Sequence, residues 1–243
     1  MKILLTNDDW IDGAGLWALA KAFNRRKKFE PVLVAPMRQQ SGMAHAMTVW
    51  RKMEYRRLDS EFEAWTIDGT PTDCVKIYLE EMAQGEKICA VISGINDGAN
   101  LATDVLYSGT VGGALEGFLH EMPALAVSRD VRSEISFDEV AEVTAKYFEE
   151  QFARGENFFY NVNFPKKYRA GQPEFKFCRL GKRDYTNAFI RHEIDGKNYF
   201  EIRGEIIDLD KSDGTDIFAV ENGYVSVTPL HADVTHHEKI LAD

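Results

Sequence analysis

The stretch Met1-Lys2-Ile3-Leu4-Leu5-Thr6-Asn7-Asp8-Asp9 decides how the chain folds. Lys2–Thr6 is an apolar run of the kind that forms a strand buried on both faces, and it ends abruptly in three oxygen-bearing side chains. Outward from it, Leu16, Leu19, Ala20 and Phe23 fall at helical spacing and predict a helix from Gly15 to Arg26. Further strands are predicted at Pro31–Ala35, Cys89–Ser93 and Ala124–Ser128. Helical stripes intervene at Cys74, Val75, Tyr78, Leu79 and Met82, and again at Val111, Ala114, Leu115 and Phe118, where Ser108 and Thr110 are placed to cap the start. Ser136-Phe-Asp-Glu139 reads as a capping box opening a helix with the stripe Val140, Val143, Tyr147 and Phe148. This alternation predicts an α/β fold, a mostly parallel sheet with helices on both faces.

The texture changes near Gly155. Phe158–Phe164, Phe175–Leu180, Asn187–Ile194, Tyr199–Arg203 and Tyr224–Val227 look like strands, and Asp195-Gly196 is a hairpin signal. The chain is therefore divided into an α/β core over 1–154 that carries the site and a β-rich part over 155–243 that completes it.

Composition bounds the function. The 243 residues carry a net charge of −10, which argues against a stable nucleic-acid complex. No apolar run approaches the roughly 18 residues of a membrane helix, so no membrane partner is expected. The first residues turn polar too soon for a signal peptide, and a cytoplasmic protein is expected. Cys74, Cys89 and Cys178 lack metal or disulfide spacing and are read as packing residues. The basic run Arg25 to Lys28 is read as a solvated helix end.

Ligands of open α/β sheets bind outside the carboxyl ends of the strands. Three polar turns fall there: Asn7, Asp8 and Asp9; Gln39, Gln40, Ser41 and Gly42; and Gly94 to Asn100 with Asn96 and Asp97. Adjacent carboxylates such as Asp8 and Asp9 repel unless a cation joins them, and oxygen donors without His or Cys suit Mg²⁺ or Mn²⁺. The alternative is that the aspartates only cap the next helix and Asn96 makes an Asx turn. Six of the 18 glycines lie between Gly94 and Gly117, and Ser108-Gly109-Thr110 opens a predicted helix, which suits a phosphate cradle. Gly13-Ala14-Gly15-Leu16-Trp17-Ala18 meets the dinucleotide pattern, but the intervening residues and the absence of an acidic residue after the second strand argue against it. None of the six histidines has ligand spacing. His45 follows the second polar turn, where a surface or packing role is the simpler reading.

With these blocks in order, together with Gly69-Thr70-Pro71-Thr72-Asp73, Tyr107-Ser108-Gly109-Thr110-Val111 and Thr228-Pro229-Leu230-His231, the chain resembles the SurE family of survival-protein 5′/3′-nucleotidases. The resemblance implies a Rossmann-like core and a metal-dependent phosphatase hydrolysing nucleoside 5′- and 3′-monophosphates. It implies one divalent ion per subunit, Mg²⁺ or Mn²⁺, held by Asp8, Asp9, Ser41 and Asn96. Asn96, Ser108, Gly109 and Thr110 would bind the phosphate, and Asp8, Asp9 and Asn96 would serve catalysis by water attack. The β-rich C-terminal part would assemble a homodimer or homotetramer. Two positions depart from the family pattern: Trp10 stands where it usually has glycine, and Ala14 where it usually has proline. Trp10 is expected either to strain the backbone beside Asp9 or to stack on a base at the pocket rim. A chain that binds nucleotide as a sensing module, with turnover lost through Trp10, is the alternative function.

Overall fold

The computed structural model describes residues 1–240. In chain order the core elements are β1 (Lys2–Thr6), α1 (Ala14–Arg25), β2 (Glu30–Pro36), β3 (Tyr55–Arg57), β4 (Glu63–Ile67), α2 (Pro71–Ile77), β5 (Ile88–Asp97), α3 (Gly109–Leu119), β6 (Ala124–Arg129), α4 (Phe137–Phe152) and β7 (Phe159–Phe164). The later elements are β8 (Phe175–Phe177), β9 (Lys182–Thr186), β10 (Phe189–Ile194), β11 (Lys197–Ile202), β12 (Glu205–Asp210), α5 (Asp216–Glu221) and β13 (Val225–Pro229). Nine strands form one sheet in the order β3-β4-β2-β1-β5-β6-β7-β13-β8. From β4 to β7 every pairing is parallel; β3 and β13 run antiparallel to β4 and β7. The predicted α/β architecture with a mostly parallel sheet is the one observed.

Strand alternation sorts the core into two layers. Ile3, Leu5, Leu33 and Ile92 face α1 and α4 with Leu16, Leu19, Phe23 and Phe148. Leu4, Val32, Val34 and Val91 face the other way, onto Cys74, Val75 and Tyr78 of the α2 segment. Burial on both faces is why these strands read as unbroken apolar runs.

Glycines set how closely α3 lies on the sheet. A Cβ at Gly117 would come within 2.4 Å of Val91 Cβ, and one at Gly113 within 3.0 Å of Thr6 Cγ2. The first turn of α3 is thereby held against the carboxyl end of β1. From β1 the chain passes to β2 on one side and later to β5 on the other, so the gap between β1 and β5 is the switch point where such sheets open a crevice.

Some local expectations change. Ser136 Oγ accepts from the Glu139 amide as a cap, whereas the reciprocal capping box forms at Thr70 and Asp73. Arg25, Arg26 and Lys28 are not merely solvated; they pair with Glu142 and Glu149 of α4 and tie the two helices together. Gly15 serves packing, since a Cβ there would sit 2.3 Å from the Ile95 carbonyl oxygen.

After β7, residues of the C-terminal part add β13 and β8 to the main sheet. The rest projects as a ribbon, β9 paired with β12 and then β10 with β11. Its tip is the predicted two-residue turn, with Asp195 and Gly196 at φ 51° and 71° and Ile194 opposite Lys197. The ribbon exposes Phe189, Phe200, Ile202 and Ile206. At its base Arg183 Nη1 lies 2.9 Å from Asp104, and its Nε 2.8 Å from Asp208; the Tyr185 hydroxyl donates to Asp104 at 2.7 Å. Asp104 belongs to the 3₁₀ turn Ala102–Leu106 that leads into Ser108.

Candidate active site

Asp8 is buried just beyond the carboxyl end of β1, beside the switch point between β1 and β5. Its Oδ1 accepts from the Thr110 hydroxyl at 2.6 Å, and its main-chain carbonyl accepts from the Gln40 amide at 2.7 Å. Both contacts need Gly109, because a Cβ there would stand 3.0 Å from Asp8 Cβ and 3.0 Å from the Gln40 carbonyl oxygen. Three turns widely separated in sequence, after β1, after β2 and at the start of α3, thus meet at one carboxylate. Burial raises the pKa of Asp8, while the Thr110 hydroxyl and amide favour its ionised form. Asp9 is half-buried, and burial followed by the charges of Asp8 and Asp97 pushes its pKa up to about 6. Among the described residues no cationic side chain offsets either one.

Ser108 caps α3, its hydroxyl accepting from the Val111 amide at 3.1 Å. The predicted helix start is present with Ser108 as its cap, whereas Thr110, also expected to cap, lies inside the helix and gives its hydroxyl to Asp8, so the amide end of α3 abuts the aspartate pair. Ser41 follows Gln40 on an exposed loop fixed at several points. The Ala44 amide donates to the Tyr107 carbonyl at 2.9 Å, Gly112 packs so tightly on Ala44 that a Cβ would lie 2.2 Å from its oxygen, and the Thr70 hydroxyl donates to the Ala46 carbonyl at 2.6 Å. His45 Nε2 lies 2.7 Å from Glu116 Oε2 of α3. Glu116 is buried and also meets Lys76 and His120, both at 3.3 Å; against the cost of burial, its hydrogen bonds to His45 and Lys76 hold its carboxyl below the usual range.

The description "Survival protein SurE" belongs to the family model that matches residues 3–187. The chain belongs to the SurE family. A relative named 5′-nucleotidase SurE from Thermoanaerobacter sp. strain X514 is 38% identical over 245 residues, covering 99% of this chain and 96% of the relative. Another of that name from Heliobacterium modesticaldum is 40% identical over 246 residues, covering 99% and 89%. The crystal structure of the SurE protein from Aquifex aeolicus superposes with a TM-score of 0.82 at 36% identity, each chain covered completely.

Within this SurE chain the expected site residues are distributed unevenly. Asp8, Gly109 and Thr110 touch, and Asp9 and Ser108 adjoin them in sequence. Ser41 adjoins Gln40, which bonds Asp8, but its own hydroxyl makes no hydrogen bond among the described residues. Asn96 stands near the carboxyl end of β5, and its Nδ2 donates to the Gly98 carbonyl at 2.6 Å, the Asx-type use weighed from sequence. Its amide oxygen accepts no hydrogen bond among the described residues. The donor types fit a hard divalent cation: two carboxylates with no cationic partner among the described residues, the Thr110 hydroxyl on one of them, and the neutral oxygens of Ser41 on the turn after β2 and Asn96 at the end of β5. Among the described residues no group of three or more His, Cys, Asp or Glu is poised to hold a metal, so such an ion would rest partly on those neutral oxygens.

The SurE site also has supports that the sequence did not disclose. Asn100 Nδ2 donates to Ser128 Oγ at 2.9 Å, and the Asn100 carbonyl accepts from Asn161 and Asn163 at 2.8 and 3.1 Å. Asn161 and Asn163 are wholly buried on one face of β7. Buried amides must find partners, so two asparagines at period two within the aromatic strand Phe159–Phe164 were the available signal. Trp10 has φ 128°, held by Asn7, whose Nδ2 donates to the Trp10 carbonyl at 2.9 Å. Such a conformation in a residue with a Cβ costs about 1–3 kcal/mol.

Proposed function

We propose that this SurE protein is a divalent-metal-dependent phosphomonoesterase that hydrolyses nucleoside 5′- and 3′-monophosphates to nucleoside and phosphate. The observation that carries the reading is the contact of Asp8 with Thr110, which sets a carboxylate pair against the amide end of α3. The name 5′-nucleotidase carried by the relatives supports its 5′-monophosphate part.

In this reading Asp8, Asp9, Ser41 and Asn96 hold one Mg²⁺ or Mn²⁺ per subunit. When bound, the cation neutralises charge on the phosphoryl oxygens. Asn96, Ser108, Gly109 and Thr110 bind and orient the phosphate. Asp9, the more open carboxylate, orients the attacking water and takes its proton. The water oxygen bonds to phosphorus as the P–O bond to the nucleoside breaks, and the departing oxygen takes a proton from solvent to leave as a hydroxyl. The exposed apolar side chains of the β10–β11 ribbon support assembly with further copies of the chain as a homodimer or homotetramer. The three free thiols fit a reducing compartment such as the cytoplasm.

Phosphate release from a panel of 5′- and 3′-nucleotides in Mg²⁺, Mn²⁺ or EDTA tests this reading. Release that requires metal is expected. Equal release in EDTA overturns the role of the cation, and no release from any nucleotide overturns the phosphatase.

A further inference from the structure

Eight non-glycine residues have positive φ among the described residues, and Trp10 differs from the other seven. Those seven lie between 48° and 60°, inside the ordinary left-handed well, whereas Trp10 lies at 128°, in territory suited to glycine. The conformation is built in. Asn7, itself fully buried, donates from Nδ2 to the Trp10 carbonyl, which also accepts from the Gly13 amide at 2.9 Å. The side chain obtained at this strained position is 42% exposed.

Two of the other three tryptophans are anchored, and Trp50, 97% exposed, has no hydrogen-bond or aromatic partner among the described residues; what sets Trp10 apart is its place beside the aspartate pair. Trp17 donates from Nε1 to the Ile11 carbonyl at 2.7 Å and meets Phe62; Trp65 donates to Glu63 at 3.2 Å and meets Tyr55. Trp10 has neither a hydrogen bond for Nε1 nor an aromatic partner among the described residues. It is one residue from Asp9 and two from Asp8, on the turn that leaves the carboxyl end of β1. A half-open aromatic ring held there at a backbone cost, with no hydrogen-bond or aromatic partner among the described residues, has the properties of a ligand-binding surface.

We propose that the Trp10 indole is the face on which the base of a nucleoside monophosphate stacks, making Trp10 a specificity residue that favours base-bearing phosphomonoesters over sugar phosphates. This rests on the phosphomonoesterase reading above. Stacking on an indole discriminates little between bases, because every base has a π face. The preference it creates is for the presence of a base.

The test compares AMP with ribose 5-phosphate, which share the reacting phosphate and the ribose. Two ratios are measured in wild type, Trp10→Gly and Trp10→Phe. One is kcat/KM for AMP over ribose 5-phosphate. The other is the affinity ratio for their phosphonate analogues, in which a methylene replaces the ester oxygen and turnover is absent. Both ratios are expected to fall about tenfold in Trp10→Gly, as loss of one base–aromatic stack dictates, and to be largely kept in Trp10→Phe. Ratios that stay unchanged in Trp10→Gly overturn the proposal, as does an equal weakening of both ligands, which would mean that Trp10 shapes only the phosphate end. If wild type binds the analogues but releases no phosphate, the phosphomonoesterase reading fails while the affinity ratio still decides the role of Trp10.

Discussion

Thr110 donates its hydroxyl hydrogen to Asp8 Oδ1 at 2.6 Å across 102 residues of sequence, and this bond joins the end of the first strand to the first turn of α3. It aligns the amide end of a helix, which favours anions, with a carboxylate pair, which favours a cation. A phosphate together with a divalent ion would satisfy both.

Thr110→Val keeps the shape of the side chain and removes its donor. A buried acceptor left unpaired costs about 1–3 kcal/mol, so the midpoint of urea unfolding is expected to fall, with a matching fall in kcat/KM for AMP. Thr110→Ser should restore most of both.

The contribution of Asp9 to the stability of the metal-free protein should shrink as pH rises. The pKa of Asp9 is raised from 3.8 to about 6 on folding, so the folded state holds the proton more tightly over that window. As pH rises from about 4 through about 6 the carboxyl ionises beside Asp8 and Asp97, and that stabilisation disappears. A divalent cation reverses the sign of the effect, since it competes with the proton. Melting temperatures measured in EDTA and in Mn²⁺ across pH 4.5 to 7.5 should therefore diverge as pH increases. A constant offset would contradict this.

His45→Ala removes the link between the Ser41 loop and Glu116. A loss of about 1 kcal/mol in stability is expected, the size of one hydrogen bond, together with faster proteolysis between Gln40 and Trp50. Weaker Mn²⁺ binding should accompany it, because Ser41 is carried by the released loop.

Two changes separate the root of the ribbon from its tip. Arg183→Ala leaves Asp104 and Asp208 without their shared cation in a nearly buried site and should cost about 3 kcal/mol, with reduced activity because Asp104 precedes Ser108 by four residues. Phe200→Asp on the exposed β10–β11 part of the ribbon should leave the melting temperature of dilute protein unchanged and, on the proposal that this ribbon assembles copies of the chain, lower the mass seen by sedimentation.

Much of the core was legible because parallel strands covered on both sides must be apolar throughout. β1, β2, β5 and β6 announce themselves in this way, and so do the stripes of α1, α3 and α4. Edge strands lack that signature. β3, Tyr55–Arg57, is exposed at every residue, and β4 mixes Glu63 and Trp65 with its buried side, so neither was foreseen. β9 and β12 were missed for the same reason, and α5 was hidden behind the loop chemistry of Ser212 to Thr215.

At the site, Asp8, Asp9 and Ser108 to Thr110 stood out because strand ends and helix starts are fixed positions in such a fold. Glu116 did not, since a glutamate in a helix reads as a solvated face until the loop bearing His45 is laid on it. Asn100 likewise gained its role only when β6 and β7 brought Ser128, Asn161 and Asn163 around it.

The most direct measurement compares phosphate release from AMP by wild type and Asp8→Asn in saturating Mn²⁺. Asparagine keeps Oδ1 as the acceptor for Thr110 and removes only the charge, so folding should persist. Activity is expected to fall at least about 100-fold, with circular dichroism unchanged. An Asp8→Asn protein that releases phosphate at the wild-type rate would contradict the assignment of this carboxylate pair as the catalytic metal site.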